Sequence, residues 1–287
     1  MADHKQIFPI EKMSAVFKVS RSGYYRWLSS PPSATATTNQ QLNRAIHRVW
    51  EGSGRRYGSP RIHRQLLAEG WSVSQPRVAR RMRKMGIASQ IRRKWVATTD
   101  SNHPFPVAPN LLDRKFWPAN LGQVWVSDIT YLPSETGWLY LTTVMDLADR
   151  QVIGWSLSKG LSANQTVIPA WKAACRRRPI KGKLIFHSDR GIQYACKEFT
   201  EKRKASKLVT QSMSRKGNCW DNAPAESFFK TLKAELQLDG KFVNYQQART
   251  TIFEFIEIWY NRKRLHSALG YRTPAQTEHL LTQNQAA

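Results

Sequence analysis

Hydrophobic residues, many of them β-branched or aromatic, are concentrated in three stretches in the middle of the chain, residues 123–132, 138–148 and 151–158, which are separated by more polar positions. Runs rich in such residues predict strands, and the short turns between them, which contain Gly137 and Asp149–Arg150, predict an antiparallel meander. After these strands, the residue pattern predicts helices and strands in alternation. The predicted elements are a helix over 162–178, a strand over 183–189, a helix over 196–206, a strand over 207–213, and helices over 221–236 and 245–264. This order predicts an α/β layout around a mixed sheet.

Two helices joined by a tight turn are predicted nearer the N-terminus, over residues 59–70 and 74–86. Gly70 ends the first, and Ser74 precedes the second with Pro76 in its first turn, which is typical of helix boundaries. Before this pair, the pattern predicts a short helix over 16–28 and a Pro/Ser/Thr-rich linker over 29–38. Such a pair is the layout of a helix-turn-helix.

The second helix of this pair is strongly basic on one side. Val78, Met82 and Met85 recur at helical spacing and predict a stripe that faces a core. The cations predicted to contact DNA are Arg77, Arg80, Arg81 and Lys84, and the basic run IRRKW (91–95) extends them. The whole chain carries a net charge of +25, which attracts polyanions. Double-stranded DNA is therefore the predicted partner; a solvated basic helix packed on its neighbour is the alternative.

Other classes of protein fit the composition poorly. No apolar run approaches the roughly 18 residues of a membrane span, and no signal-peptide core is present at the N-terminus. The three cysteines stand far apart without a CxxC pair, so neither a disulfide framework nor a thiolate zinc site is indicated. We expect a cytoplasmic, nucleoid-associated protein that does not contact a membrane.

Three carboxylates occupy positions where carboxylates are unusual. Asp128 interrupts an apolar strand, Asp189 ends another, and Glu226 follows a turn-rich loop at the start of a helix. Burying one unpaired carboxylate costs about several kcal/mol, and each alone could be satisfied by a neighbouring cation or hydroxyl. Together they predict a pocket that binds divalent cations, for which Mg²⁺ or Mn²⁺ is suited. Two such ions would promote phosphodiester cleavage and transfer.

The helix over 221–236 places charges on one face. At 100° per residue, Glu226, Lys230 and Lys233 point within about 60° of one another, apart from an apolar stripe of Phe229, Leu232 and Leu236. We expect both lysines to contact phosphates beside the scissile bond. A solvent-exposed salt-bridged pair is the alternative.

Weaker expectations attach to the residues around these motifs. His187 and Arg190 flank Asp189 and could orient it or contact phosphate, although a structural histidine is equally compatible. The remaining expectations are that Asn218, Asp221 and Asn222 build the turn and cap the helix that presents Glu226, that Trp125 lies in the core, and that Arg262 and Arg264, at the end of the last long helix, contact DNA.

Several motifs resemble those of a known family. The segments WVSDITYLP, FHSDRGIQY, QSMSRKGNCWDNAPAESFFKTLKAEL and YNRKRLHSALGYRTPAQ resemble successive motifs of bacterial insertion-sequence transposases, namely the OrfB product of the two-frame OrfA/OrfB family, which has a retroviral-integrase-like DDE core. The resemblance runs from about residue 55 to about residue 276. One residue more than the usual number separates Asp189 from Glu226, and we place it in a loop within 201–211.

The resemblance implies a fold, a reaction and partners. The fold is an RNase H-like core with a five-stranded mixed sheet, in which Asp128, Asp189 and Glu226 are the catalytic and metal-binding residues. Zinc is not expected, since His47 and His63 lack cysteine companions. The implied domains are a helix-turn-helix region over 1–95, a linker over 96–118, a catalytic core over 119–270 and a tail over 271–287.

The implied reaction is metal-dependent strand cleavage and strand transfer at insertion-sequence ends. The partners would be element ends and target DNA, further copies of the chain assembled on DNA, and the OrfA product, either separate or fused by frameshifting. Two alternatives remain open: an RNase H-like nuclease that only hydrolyses DNA, and a non-catalytic helix-turn-helix DNA-binding protein.

Overall fold

The computed structural model describes residues 1–31, 33–89, 105–236 and 241–286. The chain divides into two compact units, Met1–Ala88 and Ser89–Ala287. The predicted basic extension IRRKW and the first part of the predicted linker lie outside the described residues. No helix within the described ranges is long and apolar enough to span a membrane.

The first unit is helical. Its helices are α1 (Ile10–Phe17), α2 (Arg21–Ser29), α3 (Ala34–Gly52), α4 (Ser59–Ala68) and α5 (Gln75–Lys84). The predicted pair over 59–70 and 74–86 is confirmed as α4 and α5, and the predicted short helix over 16–28 corresponds to the end of α1 and most of α2. The structure thus places the tight turn between α4 and α5 where Gly70 and Ser74 predict it.

The predicted linker over 29–38 is wrong in its second half, because α3 begins at Ala34. The Ser33 side chain accepts a hydrogen bond from the backbone N–H of Ala36 at 3.1 Å, so this serine caps a helix. Ile46 of α3, Ile62 of α4 and Val78 of α5 are fully buried and form the centre of the unit. The side chain of Met82 is buried with them, whereas Met85 is only half-buried.

The second unit is built around a five-stranded sheet with the order β3-β2-β1-β4-β5. The strands are β1 (Val124–Ser134), β2 (Gly137–Asp146), β3 (Val152–Ser158), β4 (Leu184–Ser188) and β5 (Val209–Met213). The first three pair antiparallel, which confirms the predicted meander, and β4 pairs parallel with both β1 and β5. The predicted mixed sheet is confirmed, and its strand order is that of an RNase H-like fold.

Helices cover this sheet. They are α6 (Val167–Arg177), α7 (Ile192–Ala195), α8 (Lys197–Lys204), α9 (Ala223–Glu235), α10 (Tyr245–Phe253) and α11 (Pro274–Ala286). The predicted helix over 245–264 is α10 together with a π-helical continuation, Glu254–Tyr260. Just beyond it, the side chain of Asn261 bonds both the N–H and the C=O of Val152 at 3.0 Å, which fixes the helix end to the edge strand β3.

Aromatic side chains fill the core on one face of the sheet. Trp171 of α6 makes edge-to-face contacts with Trp125 of β1 and Phe186 of β4, with ring centroids 5.6 and 5.0 Å apart. Trp125 is fully buried, as its position in an apolar strand predicts. Such pairs add about 0.5–1.5 kcal/mol each beyond their buried area and hold β1 and β4 firmly side by side.

Two segments predicted as connections pack on the second unit. In the described part of the predicted linker, Leu112 is buried, and the N–H groups of Leu111 and Leu112 donate to the Ser212 hydroxyl of β5. In the predicted tail, the carboxylate of Glu278 on α11 pairs with Arg178 at 2.6 Å. The domain boundaries given above stay a prediction, but both segments have side chains anchored on the unit that contains the sheet.

Candidate active site

Asp128 and Asp189 follow directly after two residues that are paired across the sheet. Ser127 of β1 is in register with Ser188 of β4, and these strands run parallel. Neighbouring strands lie about 4.8 Å apart, and residues at matching positions of parallel strands point to the same face. Asp128 and Asp189 therefore lie next to each other where β4 ends, within electrostatic range.

The surroundings of Asp128 disfavour its charged form. Burial raises the pKa of Asp128 well above its usual range, and the nearby carboxylates of Asp189 and Glu226 raise it further. Two groups oppose this: the backbone N–H of Ile129, which donates to Oδ1 at 2.8 Å, and the ammonium of Lys233. The three carboxylates repel one another, and a bound cation would lower this repulsion.

The loop after β4 fixes the second aspartate. The Oδ1 atom of Asp189 accepts a hydrogen bond from the backbone N–H of Gly191 at 3.0 Å. A Cβ atom at Gly191 would lie only 3.0 Å from the same oxygen, so glycine leaves room for this close approach. Between them, the Arg190 side chain donates from Nε to the carbonyl of Ser214 at 2.7 Å.

Helix α9 presents Glu226 from its first turn. The side chain is solvent-accessible, yet neighbouring protein excludes enough water to raise the pKa of Glu226, and Lys230 acts in the opposite direction. Lys230 is exposed one turn further on. Lys233 is half-buried; burial lowers the pKa of its ammonium, and Asp128 partly offsets this. The predicted charged face is present, but its second lysine is directed at Asp128 rather than only at solvent.

The opposite face of α9 packs into the core. Phe229 and Leu232 are buried, as predicted, whereas Leu236 is only half-buried. The prediction missed Phe228, whose ring is 2% exposed and packs edge-to-face on Tyr260 at 4.8 Å. Because Phe228 and Phe229 adjoin, the buried face is wider than the predicted stripe and holds the helix in one rotation.

The turn before α9 contains Asn218, Asp221 and Asn222, as predicted, but none of these side chains caps the helix. The Nδ2 group of Asn222 donates instead to the carbonyl of Ser127 at 3.1 Å, one residue before Asp128. The Asp221 carboxylate is fully buried and accepts hydrogen bonds from Arg114 and Arg215. Their long-range partners explain the wrong prediction, since capping is a local interaction.

His187 is a structural residue. It is fully buried, with Nδ1 2.8 Å from the Ser212 hydroxyl and Nε2 3.2 Å from that of Ser214. Burial lowers its pKa to about 4, so the ring is neutral near pH 7. The open choice between structure and phosphate contact is thereby decided in favour of structure.

Sequence reasoning missed Tyr194, although it closes the FHSDRGIQY motif. Its hydroxyl lies 2.8 Å from the Ser127 hydroxyl beneath the two aspartates. Burial raises the pKa of Tyr194 well above its usual range, and Asp189 and Asp128 add to this effect. An aromatic residue five positions after a candidate ligand was the available signal, but its hydroxyl contact depends on the β1–β4 register.

The donor chemistry suits a hard divalent cation, since the three carboxylates supply oxygen ligands and their repulsion requires neutralisation. Within the four described ranges, however, no three His, Cys, Asp or Glu side chains stand close enough together to form a metal-binding group. Asp128 and Asp189 form the close part of the site, and Glu226 lies at electrostatic range from Asp128.

The predicted DNA-contacting cations of the first unit separate into two kinds. Arg80 and Lys84 are exposed on α5. Arg77 donates from Nη2 to Asn39 Oδ1 at 3.0 Å, and Arg81 donates from Nε to Asn43 Oδ1 at 2.7 Å. Because both asparagines lie on α3, Arg77 and Arg81 hold two helices together.

The cations at the end of the last long helix separate likewise. Arg262 is exposed. Arg264 is 5% exposed, pairs through Nε with Glu235 Oε1 at 2.8 Å and lies over the Tyr260 ring. This side chain supports packing between α9 and the end of the π-helical segment, and its burial removes it from the surface available to DNA.

Comparison with known proteins identifies the family. Residues 38–95 match the HTH-like domain, and residues 119–219 and 207–274 match two Integrase core domain families. Transposase InsF for insertion sequence IS3A, from Escherichia coli (strain K12), is 38% identical over 277 residues, with 96% of each chain covered. An uncharacterized 31 kDa protein of insertion element IS600 from Shigella sonnei is 41% identical over 263 residues, or 92% of this chain and 96% of its own length. The chain belongs to this family of insertion-sequence transposases.

The transposase therefore combines a helix-turn-helix region with an integrase-type polynucleotidyl transferase core. Solved structures give weaker likenesses. A chain of the simian T-cell lymphotropic virus intasome is 12% identical and covers 82% of this chain and 74% of that one, with a TM-score of 0.47. The catalytic core domain of BIV integrase is 17% identical and covers 58% and 99%, with a TM-score of 0.41. The family assignment does not depend on these likenesses.

Proposed function

We propose that this transposase cleaves strands at the ends of its insertion sequence and joins the exposed 3′ ends to new phosphodiesters, with Asp128, Asp189 and Glu226 as the catalytic residues. The observation that carries the proposal is the register of Ser127 with Ser188, which brings the two aspartates together at the end of β4. Glu226 approaches from α9, whose start is bonded to β1 through Asn222. The same three carboxylates are the candidate metal ligands.

The cofactor that fits is a divalent cation, Mg²⁺ with Mn²⁺ as a substitute. Asp128, Asp189 and Glu226 would hold it, since oxygen donors and mutual repulsion are what these ions require. When bound, such ions neutralise charge on the phosphate and favour deprotonation of the attacking hydroxyl. No covalent protein nucleophile is then needed.

The chain's own residues orient the reactants. Asp128 is fixed by the N–H of Ile129 and Asp189 by that of Gly191, so the two carboxylates keep one orientation. Lys230 is exposed one turn beyond Glu226 and is positioned to contact a phosphate of the strand that carries the scissile bond. Lys233 offsets negative charge at Asp128. Arg190, held against Ser214, would contact DNA beside Asp189.

DNA outside the catalytic site would contact exposed cations. On α5 these are Arg80 and Lys84, with Arg77 and Arg81 acting mainly by holding that helix on α3. Arg262 adds an exposed cation near the end of the π-helical segment. We further propose that several copies of the chain assemble on the DNA and that an OrfA product, separate or fused, supplies additional recognition of element ends.

Strand transfer distinguishes this proposal from its rivals. The chain, alone and with OrfA, is incubated with labelled element-end DNA and a target plasmid in Mg²⁺. We expect nicked ends and joined products, both lost in Asp128→Asn, Asp189→Asn and Glu226→Gln. Nicked ends without any joined product would indicate the nuclease that only hydrolyses. DNA binding without either product would indicate the non-catalytic DNA-binding protein.

A further inference from the structure

A short segment before the sheet is bonded to the end of β5 and to the turn that begins α9. We call residues 109–114 the strap. The N–H groups of Leu111 and Leu112 donate to the Ser212 hydroxyl at 2.9 and 3.2 Å, and the carbonyl of Pro109 accepts from the N–H of Met213. The strap therefore runs beside the strand that precedes the catalytic helix.

Two side chains of the strap, one near its start and one at its end, donate hydrogen bonds to the same carboxylate. Asp221 is fully buried, and its Oδ2 accepts from Asn110 Nδ2 at 2.9 Å, while its Oδ1 accepts from Arg114 Nε at 2.9 Å. Arg215 completes the set with its backbone N–H, Nε and Nη2, at 2.8–3.0 Å. These donors hold the pKa of Asp221 far below its usual range, with the Arg215 side chain contributing most. Asp221 is thus an ionised carboxylate held by hydrogen bonds from Asn110, Arg114 and Arg215. We call this set of contacts the clamp.

The backbone of the strap is strained at the residues that contact or adjoin the contact with Asp221. Asp113 and Arg114 are consecutive non-glycine residues with φ values of 42° and 59°. Left-handed conformations are unfavourable at such residues, and they persist where surrounding contacts compensate. The bonds of Arg114 to Asp221 and to Asn218 Oδ1, at 2.9 and 3.0 Å, are those contacts.

Asp221 stands in the 3₁₀ turn Cys219–Asn222, directly before α9, and Glu226 is in the first turn of that helix. The next residue, Asn222, bonds the carbonyl of Ser127, which precedes Asp128. Whatever fixes this turn therefore fixes the starting point of Glu226 relative to Asp128. The first turn of a helix is otherwise its most easily frayed part, and α9 has no side-chain cap.

We propose that Asp221 is a positioning residue for Glu226 and that the strap, through Asn110 and Arg114, holds Asp221 in place. The proposal rests on the proposed function, because it assigns the clamp a role in the metal site formed by Asp128, Asp189 and Glu226. Residues that orient ligands without touching the metal commonly change metal affinity by about 10–100-fold when replaced. A clamp that served only the fold would change stability and leave metal affinity alone.

Arg114→Gln in the full chain tests this, since the Arg114 side chain is 45% exposed and its loss leaves Arg215 on Asp221. The matched control is Arg177→Gln: Arg177 is 34% exposed and pairs at 2.7 Å with Glu257 of the π-helical segment, not with a residue of α9 or of the turn before it. Mn²⁺ affinity is measured by electron paramagnetic resonance, helix opening by hydrogen exchange of residues 223–227, and stability by thermal unfolding.

We expect Arg114→Gln to weaken Mn²⁺ binding at least tenfold and to speed exchange in the first turn of α9, with Arg114→Lys intermediate and Arg177→Gln unchanged in both. Wild-type Mn²⁺ affinity and exchange in Arg114→Gln would overturn the proposal, as would an equal loss in Arg177→Gln. If Asp128→Asn, with Arg114 unchanged, binds Mn²⁺ as tightly as the wild-type chain, the proposed function is refuted, while the exchange measurement still reports on the clamp.

Discussion

Lys233 and Asp128 lie within electrostatic reach of each other, although one is on α9 and the other on β1. The relationship divides two lysines that share one helical face. Lys230 is exposed beside Glu226, whereas Lys233 is half-buried beside Asp128. The first can therefore contact a DNA strand directly, and the second acts on the charge of the carboxylate site.

Lys230→Glu is predicted to slow strand joining by about ten- to a hundredfold without lowering the unfolding temperature. The substituted side chain lies in solvent, so no packing is lost, but an anion would face a phosphate in a site where position controls rate. The measurement is the joining rate at saturating Mg²⁺, with thermal unfolding in parallel. Normal joining would mean that Lys230 only pairs with Glu226 at the surface.

Lys233→Gln is predicted to behave differently. It removes a cation beside Asp128 that would repel a divalent ion, so Mg²⁺ should bind the carboxylates more tightly and the Mg²⁺ requirement of cleavage should fall. The expected result is a lower Mg²⁺ concentration for half-maximal cleavage, by about a few-fold, with the maximal rate less affected. A changed maximal rate at an unchanged Mg²⁺ requirement would instead indicate a DNA contact.

The helices and strands around the candidate active site were largely predictable from the sequence. Runs rich in β-branched and aromatic residues, separated by short turns, predicted the three antiparallel strands, and the apolar run that ends in Asp189 predicted the strand β4. The clamp on Asp221 was not predictable, because Arg114 and Asp221 lie 107 residues apart and no periodicity links them. The prediction that Arg264 contacts DNA was wrong for a related reason. A cation near a helix end is usually exposed to solvent, and the sequence does not show that Arg264 is buried and paired with Glu235.

Replacing the proposed catalytic carboxylates is predicted to abolish the reaction and leave DNA binding largely unchanged. Asp128→Asn should abolish cleavage and joining but leave DNA affinity within about twofold, because phosphate contacts come from other residues. Affinity is measured by fluorescence anisotropy with element-end DNA, with and without Mg²⁺. A large loss of affinity accompanying the loss of activity would show that Asp128 supports the DNA-binding surface or the fold instead.

DNA affinity is predicted to fall steeply with salt, since a chain with a net charge of +25 releases several counterions on binding.

Two arginines on α5 should contribute differently to DNA affinity and to stability. Arg80→Gln should lower affinity and reduce the slope against log salt by about one, at unchanged stability. Arg81→Gln should destabilise the first unit by about 1–2 kcal/mol, because it removes a charged hydrogen bond to Asn43. An equal slope change in both variants would contradict this division.

A buried ion network is predicted to make stability depend on pH. The guanidinium of Arg178 bonds Asp146 and Asp149, each at 2.7 Å, and both carboxylates are fully buried. Arg178→Met should cost about 3–5 kcal/mol near pH 7.5, because it leaves two buried carboxylates without their cation. Urea unfolding monitored by tryptophan fluorescence would measure the cost.

The pH dependence of that cost identifies its cause. Burial raises the pKa of Asp149 to about 6, with Arg178 acting against the shift, so removing Arg178 should raise this pKa further. A folded carboxyl with a raised pKa binds protons more tightly than the unfolded one, so its contribution to stability grows as the pH falls through 6 and is lost as the pH rises. The deficit of Arg178→Met should therefore shrink between pH 8 and pH 5.

The control Arg177→Met, whose partner Glu257 is partly exposed, should show a smaller deficit that varies little over this range. A constant deficit in Arg178→Met would mean that lost packing, and not two uncompensated carboxylates, destabilises the variant.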